Sequence, residues 1–278
     1  MNVPASPTLA LAHGAAMPQL GLGTWPMPSA EAERAVAIAA DAGYRLFDTA
    51  YAYGNEEGVG RGLRASGVPR EELFVTTKVN GEWHGRRAVQ DAWEMAARKL
   101  AVDYIDLVLI HWPMPWQDRY VDAFRGLGRL LEQGRVRAIG GSNFKPAHLE
   151  RVLAEAGVTP DVNQIQLSPY TQRREVRAYH EQHGVVTQSW SPIALGRELL
   201  AEPVIADIAG HHGRTPAQVV LRWHVQLGLA AVPKSSNPKR IAENIALFDW
   251  ALEPTEVAAI SGLERGESHA DDSDSIGH

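Results

Sequence analysis

The sequence predicts an α/β protein: a (β/α)8, or TIM, barrel with an N-terminal β-hairpin and two extra helical segments. Three observations carry that expectation. Eight short apolar runs alternate with helix-like stretches at a spacing of roughly 30 residues, the period of a barrel of strand–helix units. The runs are almost continuously apolar, as parallel strands covered on both faces should be. At the end of run after run the apolar character stops at a polar or aromatic residue, where a barrel places its working rim.

Residues 8–12 and 16–20, on either side of His13-Gly14, read as a small hairpin ahead of the main fold. Gly21-Leu22-Gly23-Thr24-Trp25-Pro26 is the first barrel strand running into a Gly/Pro loop. Ser29 caps a helix with alanines and β-branched residues at helical spacing to Ala42, and Gly43 stops it. The second strand, 44–47, opens into Asp48-Thr49-Ala50-Tyr51-Ala52-Tyr53-Gly54-Asn55-Glu56: an acid, a hydroxyl, two tyrosines and a Gly-Asn turn. The remaining strands are expected at 73–77, 104–110, 136–141, 161–166, 185–189 and 229–232. Helices are expected at 56–67, 86–100, 120–132, 146–156, 173–183 and 216–227, with further segments at 238–246 and 254–263. Residues 191–214 form a longer insertion between the seventh strand and its helix. No linker divides the chain, so 1–278 is read as one domain, with 268–278, acidic and Ser-rich, as a loose tail.

The 278 residues are 45% hydrophobic and 22% charged, enough for the core of one barrel. With 27 basic and 33 acidic side chains the formal net charge is -6, so no basic excess points to a nucleic-acid partner. There is no cysteine, which excludes disulfides, thiolate catalysis and cysteine-held metals. That usage fits a cytoplasmic protein. The first 16 residues lack a basic start and a long apolar run, and no stretch approaches bilayer-spanning length. No strand edge or apolar helix face asks for a partner, and a monomer is expected.

In a closed barrel the strand ends share one rim. The second strand brings Asp48 and, in its loop, Tyr53; the third Lys78; the fourth His111; the fifth Ser142 and Asn143. The sixth brings Gln164, the seventh Trp190, the eighth Lys234, Ser235 and Ser236. A tyrosine with a pKa near ~10 is a reluctant acid at neutral pH. A lysine about 4 Å away is worth roughly 4 kcal/mol at an effective dielectric of ~20, or up to about three pKa units, less what burial takes back. Asp48 supplies the counter-ion that keeps such a lysine charged, and His111 can orient a carbonyl oxygen. The set suits protonation of a carbonyl oxygen while a hydride reaches its carbon. A side chain cannot supply that hydride, so a cofactor is implied. Trp190 offers a face for a nicotinamide, and Ser142, Asn143 and Gln164 can bond its carboxamide. The string from Val232 to Arg240 places cations and hydroxyls at a helix start, an anion site that favours the extra phosphate of NADPH.

Three separated strings then carry a resemblance. They are Gly43-Tyr44-Arg45-Leu46-Phe47-Asp48-Thr49-Ala50 through Glu56 to Gly60; Gly140-Gly141-Ser142-Asn143-Phe144; and Val232-Pro233-Lys234-Ser235, followed by Arg240, Glu243 and Asn244. Through them the chain resembles the aldo-keto reductase family over nearly its full length, and most of all the bacterial branch that includes 2,5-diketo-D-gluconate reductases. The resemblance implies metal-free, NADPH-dependent reduction of a small-molecule carbonyl substrate. It implies Tyr53 as proton donor, Lys78 lowering its pKa, Asp48 holding Lys78 and His111 orienting the substrate. It places Ser142, Asn143, Gln164 and Trp190 on the nicotinamide, and Gly23, Thr24 and Trp25 along the cofactor and substrate side. Ser191 and Leu195 would fold over the pyrophosphate, with Lys234, Ser235, Arg240, Glu243 and Asn244 at the adenosine end. Gly141, Asn80 and the neutral Asn237 depart from the family pattern. The expected substrate pocket is open, walled by Trp25, Trp83 and Trp112.

Other motifs point elsewhere and are set aside. Gly58-Val59-Gly60-Arg61-Gly62 falls inside a helix, not at the strand–helix turn a dinucleotide fingerprint needs. The pairs His180/His183 and His211/His212 lack a third ligand at metal-site spacing, so they read as solvated surface and no metal is expected. Ser142 lacks the Gly-x-Ser-x-Gly spacing of a hydrolase elbow. A metal-dependent hydrolase would want a His-x-His near the first strand, and none is present. A barrel that binds NADPH only as a sensor is the competing reading, and the intact Asp48, Tyr53, Lys78 and His111 argue against it.

Overall fold

The computed structural model describes residues 5–196 and 198–278. An antiparallel hairpin, β1 (Thr8–Ala10) and β2 (Ala16–Pro18), precedes eight parallel strands. These are β3 (Gly21–Gly23), β4 (Leu46–Asp48), β5 (Phe74–Val79), β6 (Ile105–Ile110), β7 (Val136–Ser142), β8 (Val162–Gln166), β9 (Val186–Trp190) and β10 (Ala230–Ala231). Each pairs with the next in order. Parallel bridges from Leu20 to Ala231 and from Gly23 to Lys234 join the two ends and complete the ring. Closure leaves the eight barrel strands, among the described residues, without a free edge.

The helices are α1 (Ser29–Asp41), α2 (Glu56–Ala65), α3 (Ala88–Leu100), α4 (Tyr120–Glu132), α5 (Pro146–Ala156), α6 (Arg174–Gln182), α7 (Pro203–His212), α8 (Pro216–Gln226), α9 (Pro238–Ile245) and α10 (Pro254–Ser261). Thr215 caps α8 by accepting from Gln218 N at 3.2 Å, while Gln218 reaches back to Thr215 N at 2.9 Å. Ser29 opens α1 but makes no capping bond. The insertion at 191–214 holds α7, which the sequence reading passed over. Pro203 starts this helix, Ile205, Ile208 and Ala209 bury one face against Val219, Val220 and Trp223 of α8, and Gly213 ends it at φ 60.

Helices α1, α2 and α3 pack unusually close because α2 is glycine-rich. A Cβ on Gly58 would lie 2.0 Å from Ser29 O, on Gly62 2.5 Å from Glu33 O, and on Gly60 2.3 Å from Leu100 O. That contact explains the Gly-rich string Gly58-Val59-Gly60-Arg61-Gly62: its glycines seat one helix against two others.

The barrel is filled, not hollow. Leu11, Ala15 and Met17 of the hairpin segment close the amino end against Leu46, Phe74, Leu107, Leu109, Ala138 and Val162. Two wholly buried acids brace that end. Asp161 accepts from Ile139 N and His13 N, each at 2.9 Å, and lies 2.8 Å from His13 Nδ1. Asp106 accepts from Val75 N and Arg137 at 2.9 Å and from Arg70 at 2.6 Å.

The tail expected to be loose at 268–278 is docked instead. Asp272 and Asp274 meet Lys145 at 2.6 and 2.5 Å, and Asp274 meets His148 at 3.0 Å. Ser273 is buried, and His278 O accepts from Gly81 N at 3.0 Å. Charge complementarity with α5 and its cap, not apolar burial, holds the segment, and composition alone does not reveal it.

Asp106→Ala strands two arginines and a backbone N–H at the amino end. We expect a loss of about 2–4 kcal/mol in urea unfolding, with unchanged turnover per folded molecule.

Candidate active site

The carboxyl ends of the strands converge on a cleft of about 800 Å³. At its inner end Lys78, wholly buried on β5, reaches under the rim. Its Nζ lies 2.6 Å from Asp48 Oδ1, 3.0 Å from Thr49 O and 3.2 Å from Tyr53 Oη. Asp48 Oδ2 accepts from Gln164 Nε2 at 2.8 Å, and Gln164 also donates to Gln188 Oε1 at 2.6 Å. Four strands therefore share one network, and every charge in it has a partner.

The loop that carries Tyr53 is tied down on its far side. Asn55, fully buried, accepts from Thr49 Oγ1 at 2.7 Å and donates to Thr24 O at 3.1 Å and Met27 O at 3.0 Å. Glu56 accepts from Thr77 Oγ1 at 2.7 Å. Tyr53 is thereby held edge-on to His111, with ring centroids 5.7 Å apart.

The electrostatics refine the sequence reading. Burial pushes the Tyr53 phenol up, Lys78 pulls it down and Asp48 opposes that pull. The net effect in the open cleft is a pKa above the ordinary tyrosine value, so the expected lowering by Lys78 is present but outweighed. Burial also opposes the Lys78 cation, yet Asp48 and then Tyr53 more than offset it and raise its pKa. His111 is pushed well below the usual histidine value by burial, then by Lys78 and His278, and is neutral at pH 7. Asn80 Oδ1 lies 3.2 Å from His111 Nδ1 and fixes the ring. Asn80 thus supports His111 instead of serving as a pocket wall.

From Tyr53 the cleft runs outward past every residue expected on the cofactor: Gly23 and Thr24, Ser142 and Asn143, Gln164, Trp190, Ser191, Leu195, Lys234 to Ser236, Arg240, Glu243 and Asn244. Ser142 Oγ donates to Gln164 O at 3.0 Å, and Trp190 Nε1 donates to Asn143 Oδ1 at 2.8 Å, which sets the indole at the cleft wall. Gly141 leaves room for Phe144, whose ring carbon would lie 2.6 Å from a Cβ there. Asn237 is occupied as the cap of α9, accepting from Arg240 N at 3.2 Å. Lys234 pairs loosely with Glu31 at 3.7 Å, whereas Arg240 is exposed and has no ion pair among the described residues. An exposed guanidinium beside Asn244 and the α9 start fits the phosphate end of a dinucleotide.

Of the expected pocket aromatics, Trp25 and Trp112 line the cleft. Trp83 does not. It sits on the turn Gly81–Trp83 and packs edge-on to Tyr51 at 6.1 Å, away from the mouth. The docked tail provides a wall instead: the His278 ring lies 4.6 Å from His111 and 6.3 Å from Trp112, centroid to centroid. Gln188, His278, Asp271 and Thr215 to Ala217 are site or lining residues that the sequence reading missed. Gln188 was visible as a polar residue inside an apolar strand; the others carry no local signal.

The histidine pairs part company. His180 is buried, not solvated: Nε2 lies 2.9 Å from Asn163 Nδ2 and Nδ1 2.8 Å from Thr187 Oγ1, and burial pushes its pKa down to about 3. His211 and His212 stay near the surface, outside the cleft lining.

Comparison with known proteins agrees with this geometry. Residues 14–265 match the Aldo/keto reductase family. A methylglyoxal reductase, DkgA, of Salmonella typhimurium is 45% identical over 98% of this chain and 99% of its own length. The 2,5-diketo-D-gluconic acid reductase B of a Corynebacterium species is 47% identical over 95% of each chain. The crystal structure of a mutant of Gox0644 in complex with NADPH superposes with a TM-score of 0.94 at 43% identity, covering 99% of this chain and 100% of that one. An aldo/keto reductase of Brucella melitensis gives 0.89 at 45%, covering 93% and 100%. With a rim ordered as above and matches that run nearly end to end, the chain belongs to the aldo/keto reductase family.

Proposed function

We propose that the protein reduces small aldehydes, ketones or diketones to alcohols with NADPH, Tyr53 giving the proton. The observation that carries this reading is the Lys78 ammonium, held between Asp48 and the Tyr53 hydroxyl at the inner end of a cleft that reaches Arg240. The relatives named for methylglyoxal and diketogluconate reduction, and the NADPH-bound neighbour, support the carbonyl class and the cofactor.

NADPH supplies the hydride; the chain's residues hold it and prepare the acceptor. Trp190, pinned by Asn143, gives the nicotinamide a face, while Ser142, Asn143 and Gln164 offer groups to its carboxamide. Gly23, Thr24, Ser191 and Leu195 flank the middle of the cofactor. Lys234, Ser235, Ser236, Arg240, Glu243 and Asn244 take the adenosine end. A substrate carbonyl between Trp25 and Trp112 meets the Tyr53 hydroxyl and His111. Asn80 Oδ1, facing His111 Nδ1, holds the neutral imidazole in place to orient the substrate carbonyl. As negative charge develops on that oxygen, the Tyr53 proton moves to it, and Lys78 stabilises the phenolate left behind.

Three measurements check this reading. NADPH oxidation with a panel of aldehydes and α-diketones should fall about 10²–10⁴-fold in Tyr53→Phe while NADPH still binds; equal turnover by both proteins removes Tyr53 as donor. In Lys78→Met, Tyr53 loses the partner that lowers its pKa. The alkaline limb of the pH–rate profile should therefore move to higher pH, in addition to a slower rate, and an unmoved limb would refute the coupling. Arg240→Ala should raise the Kd for NADPH about 10–100-fold and that for NADH little; equal losses would exclude contact with the 2′-phosphate.

A further inference from the structure

The end of α7 and the start of α10 lie side by side, and three side chains meet there. Glu256 Oε1 lies 3.2 Å from His211 Nδ1, and Oε2 lies 2.7 Å from His212 Nε2. One donor atom from each residue falls within 4.8 Å of the other two. Neighbouring residues of a helix normally point about 100° apart. Here the two imidazoles have converged, with centroids 4.8 Å apart, at the last turn of α7.

We propose that His211, His212 and Glu256 form a surface site for a zinc-class divalent transition-metal ion. Two imidazoles and one carboxylate, with water completing the shell, are a donor set suited to zinc and related ions and poorly suited to magnesium. Ligand atoms around such an ion stand about 2.0–2.2 Å from it, so the present spread closes with small side-chain rotations. Access is open, because the His211 side chain is 71% exposed. The other two ligands are braced. The His212 ring packs on Trp250 at 5.2 Å, and Glu256 Oε2 accepts from Glu253 N at 2.8 Å.

The surrounding charges agree with a cation there. The carboxyl end of α7 carries partial negative charge, and Glu256 stands in the first turn of α10, where a carboxylate is favoured in ionised form. The nearby Arg214, stacked over Trp250 at 5.5 Å, is neutralised by Asp249 at 2.9 Å. None of the three ligands lines the catalytic cleft, so the ion takes no part in carbonyl reduction. It would staple α7, and with it the segment following Ser191 and Leu195, to α10. Sequence spacing shows only the adjacent histidines; the third ligand arrives from 44 residues away.

Zinc chloride titrated calorimetrically into wild type, His211→Ala and Glu256→Gln tests the site. Both variants should fold: the first alters an exposed ring, and the second keeps an oxygen for the Glu253 N–H. Wild type should show one saturable site, weakened at least roughly tenfold in either variant, and a rise in Tm reversed by EDTA that both variants lose. Zinc binding of unchanged strength in the two variants, or no saturable binding by wild type, would overturn the proposal.

Discussion

A lysine ammonium buried beside an aspartate is the constraint around which this barrel is arranged. Neither Lys78 nor Asp48 could be ionised there alone, because removing an isolated charge from water costs several kcal/mol. Together they are neutral, and Thr49 O, Gln164 and Tyr53 take up their remaining hydrogen-bonding capacity. Such a pair contributes little net stability. Its value is positional: the ammonium stays charged at one place, and the phenol is brought to it. Asn55 and Glu56 then matter as much as Lys78 and Asp48, since they stop the Tyr53 loop from drifting off the cation.

The two ends of the barrel spend their polar residues differently. At the amino end Asp106 and Asp161 bind backbone N–H groups, arginines and His13, and the hairpin closes the interior with Leu11 and Met17. These contacts brace the strands. At the carboxyl end the polar groups face a cleft, and several have capacity to spare, Arg240 foremost. One sheet thus carries a stabilising face and a reactive face, separated by the packed layers of Leu46, Phe74, Leu107 and Leu109.

Most of the fold and the inner site was legible in the sequence for a physical reason. A buried parallel strand must be apolar throughout, so Asp48, Lys78, His111 and Gln164 stand out where the strands end. What escaped was held by distant partners. The tail has the composition of a loose segment because its anchors, Lys145 and His148, lie elsewhere in the chain. Helix α7 shares its insertion with loop residues that break the helical period around it. Trp83 and His180 do not show their settings in the sequence, because an aromatic or a histidine carries no mark of which way it faces. Their environments come from Tyr51 in one case and from Asn163 and Thr187 in the other.

The glycines of α2 have a reach beyond their own packing. Gly58 lets Ser29 come so near that a single methyl group would collide with its carbonyl oxygen. Ser29 follows directly on the loop of Gly23, Thr24 and Trp25, which Asn55 grips through Thr24 O and Met27 O. The thickness of the helical layer at that point therefore gauges the aperture of the cleft. A side chain added on the outside of the barrel, far from any reacting atom, would act as a wedge whose effect is read at the doorway.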